Sequence, residues 1–202
     1  MTLNRMMTRK HAAILLILVS VSAKILAQGN VVPKPIRIRI GNFGRINDNY
    51  YRGAQPDRRD YSDLAALGIR TVIDLQRDGR EDEQASVERA GMKFYRIPLT
   101  TLEQPPDAAV AQFLVLVNDT ANQPVFVHCQ GGRHRTGVMT AVYRMTHDGW
   151  TADQAYSEMK QYRFEGFPRH PALKNFVYSY YGLVDHPRLP EERRTTAVGA
   201  AK

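Results

Sequence analysis

The chain has 202 residues, of which 43% are hydrophobic and 24% charged, and its formal net charge is +8. This length and apolar fraction are sufficient for a domain that is stabilised by its own core, and a single cysteine excludes an intramolecular disulfide. Residues 1–27 contain four basic and no acidic side chains, so the remaining chain has a charge of only +4. With so small an excess and no known reading motif, we expect no nucleic-acid partner.

The first 27 residues have the layout of a secretory signal peptide. Basic residues precede a short apolar run, Ala12 to Val21, and small residues follow it at Ser22, Ala23 and Ala27. The run is shorter than the roughly 20 residues that span a bilayer. We therefore expect export to the periplasm or the medium, with a domain that begins near residue 28. An uncleaved N-terminal membrane anchor is the alternative, and the only expected route to a membrane.

The hydrophobic pattern between residues 28 and 184 predicts one α/β domain. Predicted strands cover residues 36–40, 71–75, 92–98 and 124–128. Predicted helices cover residues 83–90, 107–118, 136–147, 151–162 and 171–183, and a further helix ends at Gly68. Strands that alternate with helices favour a mostly parallel central sheet of about four to five strands, flanked by helices. Residues 185–202 are polar and predict a disordered tail.

The most informative stretch of the chain surrounds its only cysteine. Cys129 lies six residues before Arg135, and Thr136 and Gly137 follow that arginine. It comes directly after a predicted buried strand and shortly before a predicted helix. We expect the backbone N–H groups of this strand-to-helix loop, with the positive end of the helix, to bind a phosphate dianion. The residues expected to contact the phosphate are Gln130, Gly131, Gly132, Arg133, His134 and Arg135.

The residue types in this loop suit phosphoryl transfer through a covalent intermediate. Positive potential in the loop favours the thiolate form of Cys129, which is the form that attacks. The planar guanidinium of Arg135 can bind two phosphoryl oxygens at once, and the hydroxyl of Thr136 can donate to the thiolate when the cysteine leaves. Arg133 and His134 suggest extra positive charge at the rim, which suits a substrate with more than one phosphate. A solvated loop position is the alternative for Arg133.

Other kinds of site fit the motif less well. A buried structural cysteine is the usual state of a single free thiol, but it does not require arginine, threonine and glycine in this register. A nucleotide-binding P-loop requires Gly-Lys-Ser/Thr, whereas Val138 and Met139 follow Gly137. The histidines lie singly, without a second cysteine or the His-Glu-x-x-His spacing of a zinc site. We therefore expect neither a metal nor a cofactor.

Residues 128–137 resemble the His-Cys-x5-Arg-Thr-Gly signature of the protein tyrosine and dual-specificity phosphatase superfamily. Residues 133–137 are similar to the Lys-His-Arg-Thr-Gly of the atypical plant and fungal dual-specificity phosphatases, the Siw14-like group. Further similarity to that group lies in residues 49–56, 67–75 and 161–164. The resemblance implies a dual-specificity phosphatase-like fold, with Cys129 as the nucleophile, Arg135 as the phosphate clamp and His128 as a residue that tunes the thiolate.

The resemblance also implies a general acid, and the expected aspartate is missing. Members of the family often place an aspartate on a mobile loop upstream of the cysteine, where it protonates the leaving oxygen. The matching segment here is residues 97–107, and its carboxylates are Glu103 and Asp107. Asp107 suits the start of the following helix, so we expect Glu103 to be the acid. The alternative is that Glu103 is a solvated loop carboxylate.

The sequence therefore predicts a metal-independent phosphatase that forms a phosphocysteine intermediate. Its expected substrates are phosphorylated proteins, at tyrosine, serine or threonine, or inositol phosphates and phosphoinositides. A module that binds phosphate ligands without turnover is the alternative. The missing aspartate favours that module, while the intact pair of Cys129 and Arg135 argues against it. A sulfur-transfer domain of the rhodanese type lacks this Cys-x5-Arg-Thr-Gly register. The sequence leaves the oligomeric state open.

Overall fold

Five strands and six helices make up the part of the chain that the computed structural model describes, residues 37–166 and 168–184. The strands are β1 (Gly44–Asn47), β2 (Tyr50–Ala54), β3 (Thr71–Gln76), β4 (Lys93–Leu99) and β5 (Val125–Cys129). The helices are α1 (Asp60–Ala66), α2 (Glu83–Arg89), α3 (Asp107–Asn118), α4 (Arg135–His147), α5 (Ala152–Gln161) and α6 (Pro171–Leu183). The predicted signal peptide, residues 1–27, and the predicted tail, residues 185–202, lie outside the described residues.

The strands form one sheet in the order β1-β2-β5-β3-β4. β1 and β2 are antiparallel, whereas β2–β5, β5–β3 and β3–β4 are parallel pairs. The predicted mostly parallel sheet is therefore confirmed. Parallel sheets are covered by helices on both faces, and every residue of the central strand β5 is buried. Its carboxyl end lies where open α/β sheets bind ligands.

Side chains of β5 alternate between the two faces of the sheet. Val125, Val127 and Cys129 face the larger core, which is formed with helices α3 to α6. Phe126 faces a second core formed with α1 and α2, and His128 points to that same side. The end of β5 therefore presents the cysteine to one layer of helices and the preceding histidine to the other.

The predicted first strand, residues 36–40, is wrong. Its described residues, 37–40, form no strand, although burial alternates along them and Ile40 is 7% exposed. Alternation indicates which side chains reach the core, but a strand also needs a neighbour that exchanges backbone hydrogen bonds with it. The sheet instead begins with the β1–β2 hairpin, which the hydrophobic pattern does not predict. In its turn, the backbone N–H of Asn49 donates to Oδ1 of Asn47 at 2.9 Å.

The helix boundaries agree with the predicted capping and turn residues. α3 begins at Asp107, and α5 has a capping box in which Thr151 and Gln154 each bond the backbone N–H of the other. Gly68 and Gly91 follow α1 and α2 with φ angles of 90° and 82°, the left-handed conformation that ends many helices. Within residues 37–166 and 168–184, no helix has the length and apolar character needed to cross a membrane.

Candidate active site

The predicted phosphate-binding loop connects β5 to α4. β5 ends at Cys129, α4 begins at Arg135, and residues 130–134 join them. Cys129, the predicted nucleophile, is 2% exposed and is therefore shielded from bulk water. None of the backbone N–H groups of residues 130–134 donates to a backbone carbonyl of the described chain. These donors are therefore available to an anion, as the sequence predicts.

Gly132 brings this loop into close contact with β2. Its φ is +63°, and a Cβ atom there would lie 2.4 Å from the carbonyl carbon of Gly53. Glycine adopts positive φ at little cost, and no other residue fits so close to a neighbouring backbone. Gly132 therefore allows the loop to curl back over the end of β2.

The outer side of the loop is fixed by hydrogen bonds to its carbonyl groups. Nδ2 of Asn42 lies 2.8 Å from the carbonyl oxygen of Gly132 and 2.9 Å from that of Tyr162. Nη2 of Arg52 donates to the same Gly132 oxygen. Asn42 and Arg52 thus hold the Gly132 carbonyl on the outer side of the loop, and the neighbouring backbone N–H groups are free to line its inner side.

Arg135 lies between the loop and a cleft of about 170 Å³. Its Nη1 is 3.4 Å from the carbonyl oxygen of Leu99 at the end of β4, and its buried Nε has no hydrogen-bond partner. The cleft is lined by Arg77, Asp78, Leu99, Thr100, Thr101, Leu102 and Arg135. The guanidinium thus retains donors that could bind a phosphoryl group, and its role as a clamp stays a prediction.

Thr136 is the first residue after the arginine, and it is completely buried. Its backbone carbonyl accepts a hydrogen bond from Oγ1 of Thr140 at 2.7 Å, whereas its own hydroxyl has no partner. A buried hydroxyl without a partner is rare in proteins. This one is consistent with the predicted donation to the leaving thiolate.

On the opposite face of the sheet, the completely buried His128 is part of a largely buried polar network. Its Nε2 lies 2.9 Å from Oε1 of Glu83 and its Nδ1 lies 3.9 Å from Oδ1 of Asp74. Nε of Arg96 is 2.8 Å from Asp74, and its Nη2 is 3.6 Å from Glu83. Burial raises the pKa of Glu83, but contact with His128 and with hydroxyl and amide donors outweighs it and lowers that pKa below its ordinary value. Glu83 is therefore a carboxylate that orients His128 directly before the nucleophile.

The same network contains the one group of possible metal ligands in the described part of the chain. One ligand atom from each of Asp74, Glu83 and His128 lies within 4.8 Å of the other two. The carboxylates already accept hydrogen bonds, Asp74 from Arg96 and Glu83 from Tyr61, both at 2.8 Å. A guanidinium beside both carboxylates would also repel a divalent cation. The group fits a buried ion-pair network better than a metal site.

The structure places one carboxylate in the cleft that the sequence analysis does not single out. Glu103 is exposed, and its backbone N–H lies 3.3 Å from Oγ1 of Thr100; its catalytic role stays a prediction. Asp107 begins α3. Asp78 lines the cleft together with Arg77, and both residues directly follow β3, the neighbour of β5. Their position directly after a predicted strand is visible in the sequence, but the structure is needed to show that this strand lies next to β5.

His134, a predicted phosphate contact, packs against His170 with ring centroids 3.9 Å apart. Burial, and then the charge of His170, lowers the pKa of His134 to about 4, so this ring is neutral near pH 7. Nδ1 of His170 lies 3.1 Å from the carbonyl oxygen of Thr101 in the cleft. Of the two predicted rim cations, the half-buried Arg133 is thus the one that is charged at neutral pH.

Comparison with known proteins gives one family match and several relatives. The family described as "DSP-PTPase phosphatase fused to NAD+ Kinase" matches residues 42–174, which include Cys129 and Arg135. The dual specificity protein phosphatase TpbA of Pseudomonas aeruginosa (strain UCBPP-PA14) is 30% identical over 121 residues, 59% of this chain and 54% of TpbA. The inositol diphosphatase SIW14 of Saccharomyces cerevisiae is 27% identical over 146 residues, 69% of this chain and 50% of SIW14. The chain thus spans about half the length of these curated relatives.

Solved structures give the same fold. The core catalytic domain of S. cerevisiae SIW14, in complex with citrate, superposes on this chain with a TM-score of 0.61 at 22% identity. The match covers 80% of this chain and 94% of the SIW14 chain. P. aeruginosa TpbA has a TM-score of 0.59 at 26% identity and covers 68% of this chain and 84% of that chain. These likenesses confirm the predicted dual-specificity phosphatase-like fold. The family match over residues 42–174 shows that the chain belongs to the dual-specificity phosphatase (DSP-PTPase) family.

Proposed function

We propose that this chain is a phosphatase that hydrolyses phosphate esters through a phosphocysteine intermediate, without a metal. The arrangement of the loop carries this proposal. Cys129 ends β5, the N–H groups of residues 130–134 have no backbone acceptor, and Arg135 begins α4. These groups supply the nucleophile, the donors for the phosphoryl oxygens and the positive charge that phosphoryl transfer needs.

The proposed reaction has two steps at phosphorus. Sγ of Cys129 attacks, an S–P bond forms, and the bond from phosphorus to the leaving oxygen breaks. The loop N–H groups and Arg135 stabilise the negative charge on the equatorial oxygens. Water then attacks phosphorus, the S–P bond breaks, and inorganic phosphate leaves. The buried hydroxyl of Thr136, which has no other partner, donates to the departing thiolate.

Hydrolysis of 4-nitrophenyl phosphate in the presence of a chelator and a reductant tests the proposal. We expect turnover under both conditions, because the proposed steps use only side chains and backbone donors. Activity that disappears on chelation would contradict the metal-independent mechanism. A folded protein that binds phosphate but gives no turnover would instead be a phosphate-binding module.

We propose Asp78 as the general acid, because it lines the same cleft as Arg135. Asp78→Asn should lower kcat/KM for an alkyl phosphate by about 10²-fold or more, since that leaving group needs a proton. The effect on 4-nitrophenyl phosphate should be much smaller, because nitrophenolate leaves without protonation. Glu103→Gln is the matched control, and we expect it to leave both rates unchanged. If Glu103→Gln has the larger effect on the alkyl phosphate, Glu103 is the acid, as the sequence predicts.

We further propose that the substrate carries more than one phosphate. Arg77, whose Nε lies 3.4 Å from Oδ2 of Asp78, lines the cleft together with Arg135. Arg133 lies in the loop between Cys129 and Arg135. A second phosphate next to the one being transferred would therefore meet positive charge. The relatives are named an inositol diphosphatase and a dual specificity protein phosphatase. Inositol polyphosphates, phosphoinositides and phosphorylated peptides are accordingly the substrates to compare, with the inositol class favoured.

Substitution of Arg77 tests this preference. We expect Arg77→Gln to raise KM for an inositol polyphosphate about tenfold, which corresponds to about 1.4 kcal/mol of lost binding. KM for 4-nitrophenyl phosphate should stay unchanged, because that substrate has a single phosphate. Arg58→Gln is the control, since Arg58 is an exposed arginine that pairs with Asp82 outside the cleft. An equal rise in KM for both substrates would argue against a second phosphate at Arg77.

We also propose that the protein is exported by the predicted signal peptide in residues 1–27. The support is the order of basic, apolar and small residues in the sequence. N-terminal sequencing of the protein from separated cell fractions tests it. A periplasmic or secreted chain that starts near residue 28 supports export, while a full-length chain in the membrane fraction supports the anchor.

A further inference from the structure

Arg52 is a completely buried arginine on the same face of the sheet as Cys129. It lies in the middle of β2, where it is aligned with Val127 of the parallel strand β5. Aligned residues of parallel strands point to the same face, and so do residues two apart on one strand. The side chain of Arg52 therefore lies on the side of the sheet that carries the nucleophile.

The guanidinium of Arg52 is only partly satisfied. Nη2 donates to the carbonyl oxygen of Gly132, and the carbon of the guanidinium lies 3.9 Å from the ring centroid of Tyr162. Nε and Nη1 are buried without a hydrogen-bond partner, and no ion pair of Arg52 is found in residues 37–166 and 168–184. An isolated buried cation is strongly unfavourable, and arginine does not lose its proton in proteins. A negatively charged group is therefore missing from its surroundings.

Ionisable side chains near Arg52 include Tyr50, Tyr162, Glu158 and Cys129. Glu158 is already paired, since its Oε1 lies 2.6 Å from Nη2 of Arg144. Burial raises the pKa of Tyr50 further above its ordinary value, and a tyrosine hydroxyl with an ordinary pKa of about 10 is neutral near pH 7. Cys129 lies on the same face of the sheet, at the end of the strand that pairs with β2, and is therefore the remaining candidate for a negative partner.

We propose that Arg52 is the buried counter-ion of the Cys129 thiolate, a positioning residue that also holds Gly132 and thereby the shape of the loop. In this proposal Arg52 favours the thiolate from β2, the strand that pairs with β5, while Arg135 and the loop N–H groups bind the phosphoryl group. When the thiolate attacks phosphorus, its negative charge leaves with the departing oxygen, and the phosphoryl dianion bonded to Sγ then supplies the negative charge in the same loop. This role deepens the proposed phosphatase mechanism and rests on it.

Alkylation by iodoacetamide tests the role, because Cys129 is the only cysteine of the chain. Only the thiolate reacts, so the rate against pH gives the midpoint of thiol ionisation. In the full chain, Arg52→Met should move this midpoint upwards by about one unit or more, the effect of removing a nearby opposite charge. Arg52→Lys, which keeps the charge, should recover most of the shift. An unchanged midpoint in folded Arg52→Met would overturn the proposal, and this readout does not require turnover.

Arg144→Met is the matched control, since Arg144 is a mostly buried arginine in the same layer that pairs with Glu158 and Asp148. It should lower thermal stability and leave the alkylation midpoint unchanged. A second measurement uses the chain without a substitution at Arg52. The NMR chemical shift of Arg52 Nε should change with pH, and the midpoint of this change should equal the midpoint found by alkylation. In Cys129→Ser this pH dependence should disappear. A resonance that does not follow the thiol contradicts the proposal, even if Arg52→Met does not fold.

Discussion

Cys129→Ser is expected to abolish turnover while leaving phosphate binding largely intact. A serine hydroxyl at this position would remain protonated, so the attacking anion is lost. The loss of rate should be on the order of 10⁴-fold or more, the scale seen when a catalytic nucleophile is removed. The phosphate should still bind, because its donors are Arg135 and the backbone N–H groups of residues 130–134, and the substitution changes neither.

Two measurements on the same preparations check this expectation. Steady-state hydrolysis of 4-nitrophenyl phosphate gives the rate, and calorimetry with inorganic phosphate or tungstate gives the affinity. Arg135→Lys is the informative comparison, since a lysine cannot bind two phosphoryl oxygens in a planar fork; it should weaken both rate and affinity. Substantial turnover by Cys129→Ser would rule out the phosphocysteine mechanism. Loss of binding in Cys129→Ser would mean that the thiolate, and not only the loop, helps to shape the anion site.

The sequence predicts the nucleophile, the loop and the clamp because all of them lie in residues 128–137. The chemistry of this stretch depends on local order: a buried strand, a turn with glycines and a helix N-terminus. Each of these is readable from residue type and spacing. The structure places Cys129 at the end of β5 and Arg135 at the start of α4, as the pattern predicts. Local patterns therefore suffice for this part of the site.

The groups that surround the loop could not be predicted in this way, because they come from distant segments. Arg52 is a charged residue in the middle of a buried strand, and hydrophobicity patterns do not predict a buried charge at such a position. Glu83 begins α2 and reaches His128 only because β3 and β5 are neighbours. Asp78 lines the cleft for the same reason. The order of strands, which no local pattern contains, decides which charges meet at the cysteine.

The central strand thus separates two charged environments around consecutive residues. His128 faces a network in which the carboxylates of Glu83 and Asp74 are shared with Arg96. Cys129 faces the side that carries the unpaired cation of Arg52. The carboxylates on the first side share a guanidinium, that of Arg96, while Arg52 on the second side has no ion pair within residues 37–166 and 168–184. This asymmetry is what a site needs if it is to hold a thiolate first and a phosphoryl group afterwards.

Gly132→Ala is expected to disrupt the loop itself. Its φ of +63° disfavours any residue with a Cβ atom, and that atom would lie 2.4 Å from the backbone of Gly53. The left-handed conformation alone costs about 1–2 kcal/mol, and the contact with backbone can be relieved only if the loop moves away from β2. Such a movement separates Gly132 from Asn42 and Arg52. A displacement of about 1 Å in a catalytic group can reduce the rate about 10²-fold.

Gly131→Ala separates this effect from the general cost of replacing a loop glycine. Gly131 is exposed, its φ is not in the left-handed region, and the nearest atom to an added Cβ would be Cγ of Arg133 at 3.6 Å, an ordinary contact. We expect Gly131→Ala to retain stability and most of the activity, and Gly132→Ala to lose both when the two are compared by thermal unfolding and by hydrolysis of 4-nitrophenyl phosphate. Equal effects would mean that the loop does not depend on its contact with β2. In that case Arg52 would not position the loop through Gly132, and only the charge of Arg52 could act on the thiolate.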